Sequence, residues 1–501
     1  MIRQWRGVND MKRFTILIII VSFILASCNN NATNKKDTLN VEIPLKTTSI
    51  APYETDVPVK IGALESLFKM SKDGKVKPLL VKSFKQKSDD TLTLKIKDDI
   101  HFQNGHKLTG DAVKRSLEQG VKKSDLLSGS LPIDKITAKG QEVTIKTKEP
   151  YPELKSELAS PFAAIYDTQA KGKVSDQPVG TGPYQIDKYQ RSQKIELSKY
   201  KDYWQGTPKL SKINVTYHED GNTRVNHLLS GKSDITTDVP IAQINDVKKS
   251  NKANIQSTSG FRTHLLLYNH DSKKMNKNVR EAFDAVINRK EIAKNVSKDY
   301  AKPASGPFND RLKHIKGSEV QPQDINKAKK LLAKEGYTKD HPLKINMVTY
   351  DGRPELPKIG QVIQSEAKKA NIEVKLRNVD DIEGYLKDKD AWDASMYSYL
   401  TVPRGDTGYF FNTAYLPKGA NNKGNYDNKE VTQQIKQLNH TFGQTEREQL
   451  TNQILKTSDK DIPNSYITYN DQIDGVSKNV KNFNVTPESV SYTHLRAHET
   501  K

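Results

Sequence analysis

The feature that most limits how this chain can fold is an apolar run ending at its only cysteine. Met11-Lys12-Arg13 precede the stretch Phe14 to Leu25, which closes on Leu25-Ala26-Ser27-Cys28. The run has the length and basic flank of a secretory leader and is too short for a membrane span. With the one cysteine committed there, disulfides and thiolate metal sites are excluded. A chain of 501 residues must therefore be held together without disulfide cross-links, and it is long enough for two or three domains.

The small residues before Cys28 resemble a bacterial lipobox, in which the cysteine is acylated and becomes the mature N-terminus. The polar stretch Asn29 to Asp37 reads as a tether. Acyl chains on Cys28 would hold the protein at the extracellular face of the cell membrane while the rest stays in water. Met1 to Asp10 read as an upstream extension before a better start at Met11.

The formal charge of +20 comes from 80 Lys and Arg against 60 Asp and Glu. The lysines are spread along the chain among acidic residues, as in Lys95, Lys97, Asp98, Asp99 and Lys387, Asp388, Lys389, Asp390. There is no concentrated arginine and aromatic stripe to track a phosphate backbone. The pattern points to a solvated surface attracted loosely to an anionic envelope, with no nucleic-acid partner.

Strand patterning dominates the first half. Leu92, Leu94 and Ile96 alternate with polar residues, and Lys135–Ala138 and Glu142–Thr147 flank Lys139-Gly140 as a hairpin. Gly110 to Gly120 reads as a short helix with Asp111 in its first turn and Gly120 after its end. From Asn278 the period becomes helical. Val279, Ala282, Phe283, Val286 and Ile287 form one stripe, and Asp324 caps a helix that Gly336 ends. A strand at Leu343–Met347, a helix through Ile359, Ile363 and Ala367, and a strand at Ile372–Leu376 follow. Two helices, Thr432–Asn439 and Glu446–Ser458, precede a last strand, Ile462–Tyr469. This alternation predicts an α/β lobe. Residues 491–501, Ser491 to Lys501, have no such pattern and read as a non-native tail, so His494 and His498 are not taken as ligands.

An ordered set of segments resembles the extracytoplasmic solute-binding proteins of peptide and nickel ABC importers. It comprises Glu65-Ser66-Leu67-Phe68 with Gly74 to Leu80, Leu92 to Glu118 with Gln103-Asn104-Gly105 and Thr109-Gly110-Asp111, and Pro178-Val179-Gly180-Thr181-Gly182-Pro183-Tyr184. Tyr203-Trp204 to Leu210, Arg224, Leu229 to Ile235, Val279-Arg280-Glu281-Ala282 with Asn288-Arg289, and Ala328 to Tyr337 continue it. The resemblance covers about residues 38 to 490. It implies an α/β, two-lobed, periplasmic-binding-protein-like fold with a hinge and a ligand cleft. Lobe 1 would take 38–260 and 464–490, and lobe 2 would take 261–463. Closure over a ligand that contacts both lobes would present the protein to a permease and ATPase complex. Gly180 and Gly182 suit a place where a side chain would collide, and Asn104-Gly105 suits a turn.

Within this family two ligand classes compete. Peptide binders commonly hold the peptide ammonium with a second-lobe aspartate, and Asp406 stands where that residue would lie; its plainer role is a capping loop carboxylate. Nickel binders take the metal already chelated, for example by free histidine, and grip chelator carboxylates with arginine beside aromatic rings. The chain departs from the better-known nickel pattern at Leu158 to Ala163 and at Lys122 to Gly129, where the expected Arg and Trp are missing. The candidates here are Arg404 and Arg262 first, then Tyr397, Tyr399 and Arg353, with His264 as the one imidazole near them. Strand alternation puts Arg262 and His264 on one face, away from Leu265 and Leu267. Neutral imidazole suits Ni²⁺, although a lone His is more often a hydrogen-bonded structural residue.

The whole sequence is most similar to the nickel-binding lipoproteins of Gram-positive bacteria. It carries no HExxH, paired CxxC or His-rich tract, so most of the metal's coordination shell must arrive with it. An envelope hydrolase finds no support, for there is no GxSxG elbow and no spare cysteine. The reading is a monomeric carrier and not an enzyme, with a peptide-binding lipoprotein as the alternative.

Replacing Cys28 with alanine should release the protein from membranes without changing ligand binding by the soluble part. Fractionation after a high-salt wash checks this; a C28A chain that still pellets would implicate surface charge instead.

Overall fold

The structure is a computed structural model that describes residues 37–71 and 74–486 together with the backbone of 496–497. The leader, Cys28 and the tether up to Lys36 lie outside the described residues, as do most of the terminal tail and both of its histidines. Arg496–Ala497 pair with Val480–Lys481 in a two-residue antiparallel ladder. Among the described residues no helix is long and apolar enough to cross a membrane.

Strands of the first half include β1 (Thr38–Ile43), β2 (Val81–Ser88), β3 (Thr91–Ile96), β4 (Ile133–Lys139), β5 (Glu142–Thr147), β6 (Tyr184–Gln190), β7 (Lys194–Lys199), β8 (Lys212–Tyr217) and β9 (Ile235–Thr236). The longest helices among them are α1 (Gly110–Lys123) and α2 (Gly221–Ser230). Strands β2-β3-β5-β4 form a separate antiparallel sheet in that order. The hairpin expected around Gly140 is β4–β5. Helix α1 starts as expected, with the Thr109 side chain accepting from Ala112 N, but it runs on to Lys123. Gly120 does not end it. The glycine lies inside the helix because a Cβ there would come within 2.9 Å of the Leu127 side chain.

The second half contributes β10 (Ala253–Tyr268), α3 (Lys277–Val286), α4 (Ile325–Lys334), β11 (Leu343–Thr349), α5 (Glu355–Lys369), β12 (Ile372–Asn378), β13 (Ala394–Leu400), α6 (Lys429–Leu438), α7 (Gln444–Ser458) and β14 (Asn464–Ser477). Asp324 caps α4 by accepting from Lys327 N, and Gly336 takes a left-handed φ of +82° just past its end. The β11–α5–β12 unit pairs its strands in parallel, as a crossover helix requires.

The main sheet runs β12-β11-β13-β10-β14-β9-β1-β8-β7-β6. Two of its strands are much longer than the rest. β10 and β14 pair antiparallel from Ala253↔Ser477 to Leu267↔Asn464, with irregularities between Ser259 and Arg262 and between His264 and Leu265. Strand β14 extends well past the Tyr469 expected from the sequence. Its first part supplies Tyr466 and Ile467 to the two cores built from the middle of the chain. Its last part supplies Ile473 and Val476 to the cores built around β1 and α2.

Buried carboxylates mark the joints of this frame. Glu65 accepts from Thr181 Oγ1 at 2.8 Å, Tyr203 OH at 2.8 Å and Trp204 Nε1 at 2.9 Å, so three of the sequence segments meet on one side chain. Gly180 and Gly182 make this possible, since a Cβ on either would fall within 2.4 Å of the backbone at residues 62–63.

Asp474 on β14 is fully buried, and its Oδ1 accepts from Asp238 N at 3.3 Å and Gln472 Nε2 at 3.1 Å. Its Oδ2 has no partner, and burial raises its pKa to about 7. A folded-state value above the unfolded one gives stability that is full at low pH and lost as pH rises through 7. Asp474→Asn should therefore gain stability relative to wild type between about pH 4 and 7 and hold that gain above it, by at most about 4 kcal/mol. Denaturation curves at three pH values check this; a pH-independent difference would show that Asp474 stays ionised.

Candidate solute-binding site

Register across β10 and β13 sorts the expected residues onto two faces. Arg262↔Leu400 and His264↔Ser398 share one face, and Thr263↔Tyr399 and Leu265↔Tyr397 share the other. The second face belongs to an aromatic core. Tyr397 and Tyr399 are buried there with ring centroids 4.9 Å apart, and Tyr399 lies 6.2 Å from Phe410. Their hydroxyls donate to Glu383 and to the Asn421 carbonyl. Both tyrosines thus pack in the wall of the lobe, with Tyr350 at its edge 6.0 Å from Tyr397.

The first face carries the polar chemistry. His264 is buried, with Nδ1 3.0 Å from Ser398 Oγ, and Arg262 donates to the same oxygen at 3.3 Å. Burial, reinforced by the guanidiniums of Arg262 and Arg353, lowers His264 to about 3, so the ring is neutral at any physiological pH. Burial first, and then Arg353, lowers Arg262 to about 10. Arg353 stands in the turn between β11 and α5, close enough for its charge to be felt by Arg262, His264 and Tyr350. Among the described residues neither guanidinium has a carboxylate ion-pair partner. The charge of Asp238, which follows β9 in the opposite part of the sheet, also reaches Arg262. The arginine pair therefore faces the boundary between the two groups of cores.

Arg404 and Asp406 lie elsewhere on that boundary and are already engaged. Arg404 Nη1 is 2.8 Å from Glu157 Oε1 and 2.7 Å from Oε2. Asp406 Oδ1 accepts from Arg447 Nη2 at 2.6 Å and from Gly408 N at 2.7 Å, while the same Nη2 reaches Glu153 Oε1 at 2.9 Å. Glu153 and Glu157 come from one short turn of helix at 154–157, and both are buried. Although burial opposes it, the carboxylates of Asp406 and Glu153 hold Arg447 above its usual value. Burial, followed by Asp406, pushes Glu153 upward. These charges form a clasp across the boundary, with their hydrogen-bonding capacity directed at one another.

Glu153, Glu157, Arg447 and Ser398 were not among the residues expected from the sequence. The i, i+4 spacing of the two glutamates beside apolar Leu154 and Leu158 was the available signal for an inward acidic face. Ser398 could have been found by alternation between Tyr397 and Tyr399. Nothing local marks Arg447, which sits in a polar stretch of α7.

Two groups of cores spanned by long strands, with unneutralised guanidiniums on one side of the boundary, define a two-lobed binding protein for a small solute. Residues 75–422 match the family model of the bacterial extracellular solute-binding proteins, family 5 Middle. The nickel-binding protein NikA of Staphylococcus aureus is 59% identical over 467 residues, which cover 93% of this chain and 95% of that protein. The crystal structure of S. aureus NikA in complex with Ni(L-His)2 aligns with a TM-score of 0.80 at 58% identity, covering 92% of this chain and 100% of the other. A nickel ABC transporter structure from Bacillus halodurans aligns at 0.82 with 32% identity and the same coverage. This chain belongs to the family 5 solute-binding proteins, a family of extracytoplasmic binding components.

Removing Arg447 would leave Glu153 and Asp406 buried side by side without a cation. R447A should lose about 3–5 kcal/mol of stability, and adding Glu153→Gln should restore part of it. Chemical denaturation of the single and double variants tests the clasp; a loss below about 1 kcal/mol would place the pair among solvent-screened contacts.

Proposed function

We propose that this protein is the capture component of a nickel importer and takes the metal as a complex with a small carboxylate chelator, free histidine above all. The observation that carries the reading is the pair Arg262 and Arg353, unpartnered by any carboxylate among the described residues. A bis-histidine nickel complex presents two carboxylates, one for each guanidinium, and charge-assisted bonds of this kind are among the strongest a protein makes. His264 is neutral and bonded to Ser398, which suits a residue that orients Arg262 more than one that reaches the metal. Its imidazole remains chemically competent for Ni²⁺. The similarity to S. aureus NikA, solved with Ni(L-His)2, supports the same cargo. The alternative of peptide uptake loses its anchor, because Asp406 is satisfied by Arg447.

Lobe closure would be carried by β10 and β14, with the division between lobes crossing β14 near Asn470 and not before Asn464. Acyl chains on Cys28 would hold the protein beside its permease and ATPase partners at the outer face of the membrane, as a monomer.

Calorimetry with nickel in excess histidine should show tight one-to-one uptake of the complex. Arg262→Ala should weaken it by about ten- to a hundredfold, equivalent to roughly 1.5–3 kcal/mol, and Arg353→Ala should also weaken it. Tight binding of short peptides with no response to the nickel–histidine complex would overturn the proposal.

A further inference from the structure

Away from the arginine pair, three potential metal ligands converge over the centre of the first lobe's sheet. Glu42 lies on β1, between β8 and β9, and is 3% exposed. His218 follows β8 directly, its backbone N–H bonded to Ile43 O at 3.0 Å. His227 comes from α2, whose start is fixed by the Asp220 side chain accepting from Thr223 N at 2.7 Å. Glu42 Oε1 lies 2.7 Å from His227 Nδ1 and 3.6 Å from His218 Nε2. One donor atom from each residue falls within 4.8 Å of the other two, and the imidazoles meet edge to face at 5.0 Å.

The second carboxylate oxygen is the independent observation. Glu42 Oε2 is buried and has no hydrogen-bond partner. A buried acceptor left unmade is expensive, and a cation beside it would remove that cost. Two imidazoles and one carboxylate with a fourth position open is a donor set that suits Zn²⁺, and imidazole equally suits Ni²⁺. Bonds of about 2.0–2.2 Å to a common ion need only small side-chain rotations from this arrangement.

Two cations stand close by. Arg224 spends its donors on the carbonyls of His218, Glu219, Thr237 and Asp238, which makes it part of the frame. Lys232 Nζ lies 3.2 Å from His227 Nε2 and is exposed. A metal on Nδ1 leaves the ring proton on Nε2, facing that ammonium, so Lys232 must swing away when metal binds. The Lys46–Glu219 pair at 3.0 Å is mostly solvated.

We propose that Glu42, His218 and His227 bind one bare first-row divalent ion, Zn²⁺ or Ni²⁺, at a site separate from the chelate site of the cleft. The test strips the full chain of metal and dialyses it against Zn²⁺ or Ni²⁺ without histidine, reading bound metal by mass spectrometry. One equivalent of one or both ions should be retained. His218→Ala and His227→Ala should each weaken retention by roughly tenfold or more, since each removes one of three ligands. Lys232→Ala should strengthen it severalfold, and Arg262→Ala, which damages only the cleft, should leave it unchanged. Both histidine variants keep Glu42 and sit at partly exposed positions, so a shared melting temperature with wild type shows that they fold. Retention unchanged in both histidine variants, or no retained equivalent of either ion in wild type, would overturn the proposal.

Discussion

Everything in this molecule hangs on the antiparallel pairing of β10 with β14. A strand of ordinary length serves one core, whereas these two run from the cores of the first half into those of the second. Their ladder is irregular at Ser259–Arg262, where the chain leaves one group of cores for the other. Irregular pairing there permits bending without loss of either core, because the apolar clusters on the two sides share few residues. The same irregularity places Arg262 and His264 immediately past the crossing, at the mouth of the second lobe. Fold and site are in this sense one feature.

The charges at the boundary divide into two kinds. Arg404, Arg447, Glu153, Glu157 and Asp406 neutralise one another and tie the halves together. Buried pairs of this sort add little net stability over an apolar contact, but breaking one is costly, so they specify how the halves meet. Arg262 and Arg353 are the other kind, brought together with no carboxylate in contact. Burial has depressed Arg262, and an anion would reverse that cost. If the proposed site is right, binding energy would be held ready on one side of the boundary while the clasp ties the two sides together.

The α/β class, the capped α4, the β4–β5 hairpin and the shared face of Arg262 and His264 were all legible, because each follows from local period and capping chemistry. The length of β14 was not. Its second half, Asn470 to Ser477, is mostly polar in sequence and is a strand only because β10 and β9 pair with it. The roles of Arg404 and Asp406 were equally hidden. Both stand in a Gly-containing loop that reads as a ligand loop, and their partners lie about 250 and 40 residues away in sequence. Tyr397 and Tyr399 suit ligand stacking by residue type, but the register of β13 against β10 turns them to the face away from Arg262. Alternation fixes the two faces within β13, whereas which of them meets Arg262 is set by the ladder and not by local sequence.

Electrostatics also says which form of metal the cleft can admit. At an effective dielectric of about 20, a divalent cation about 5 Å from one guanidinium is repelled by on the order of 6–7 kcal/mol. Two such guanidiniums would exclude the bare ion from a site with only one neutral imidazole to offer. The repulsion vanishes when the ion arrives inside a neutral chelate whose carboxylates face the arginines and whose amines and imidazoles satisfy the metal. On the proposed reading the arginine pair would therefore act as a filter as well as a grip: it would admit the metal only as a complex, with the cargo supplying the coordination shell that the protein lacks.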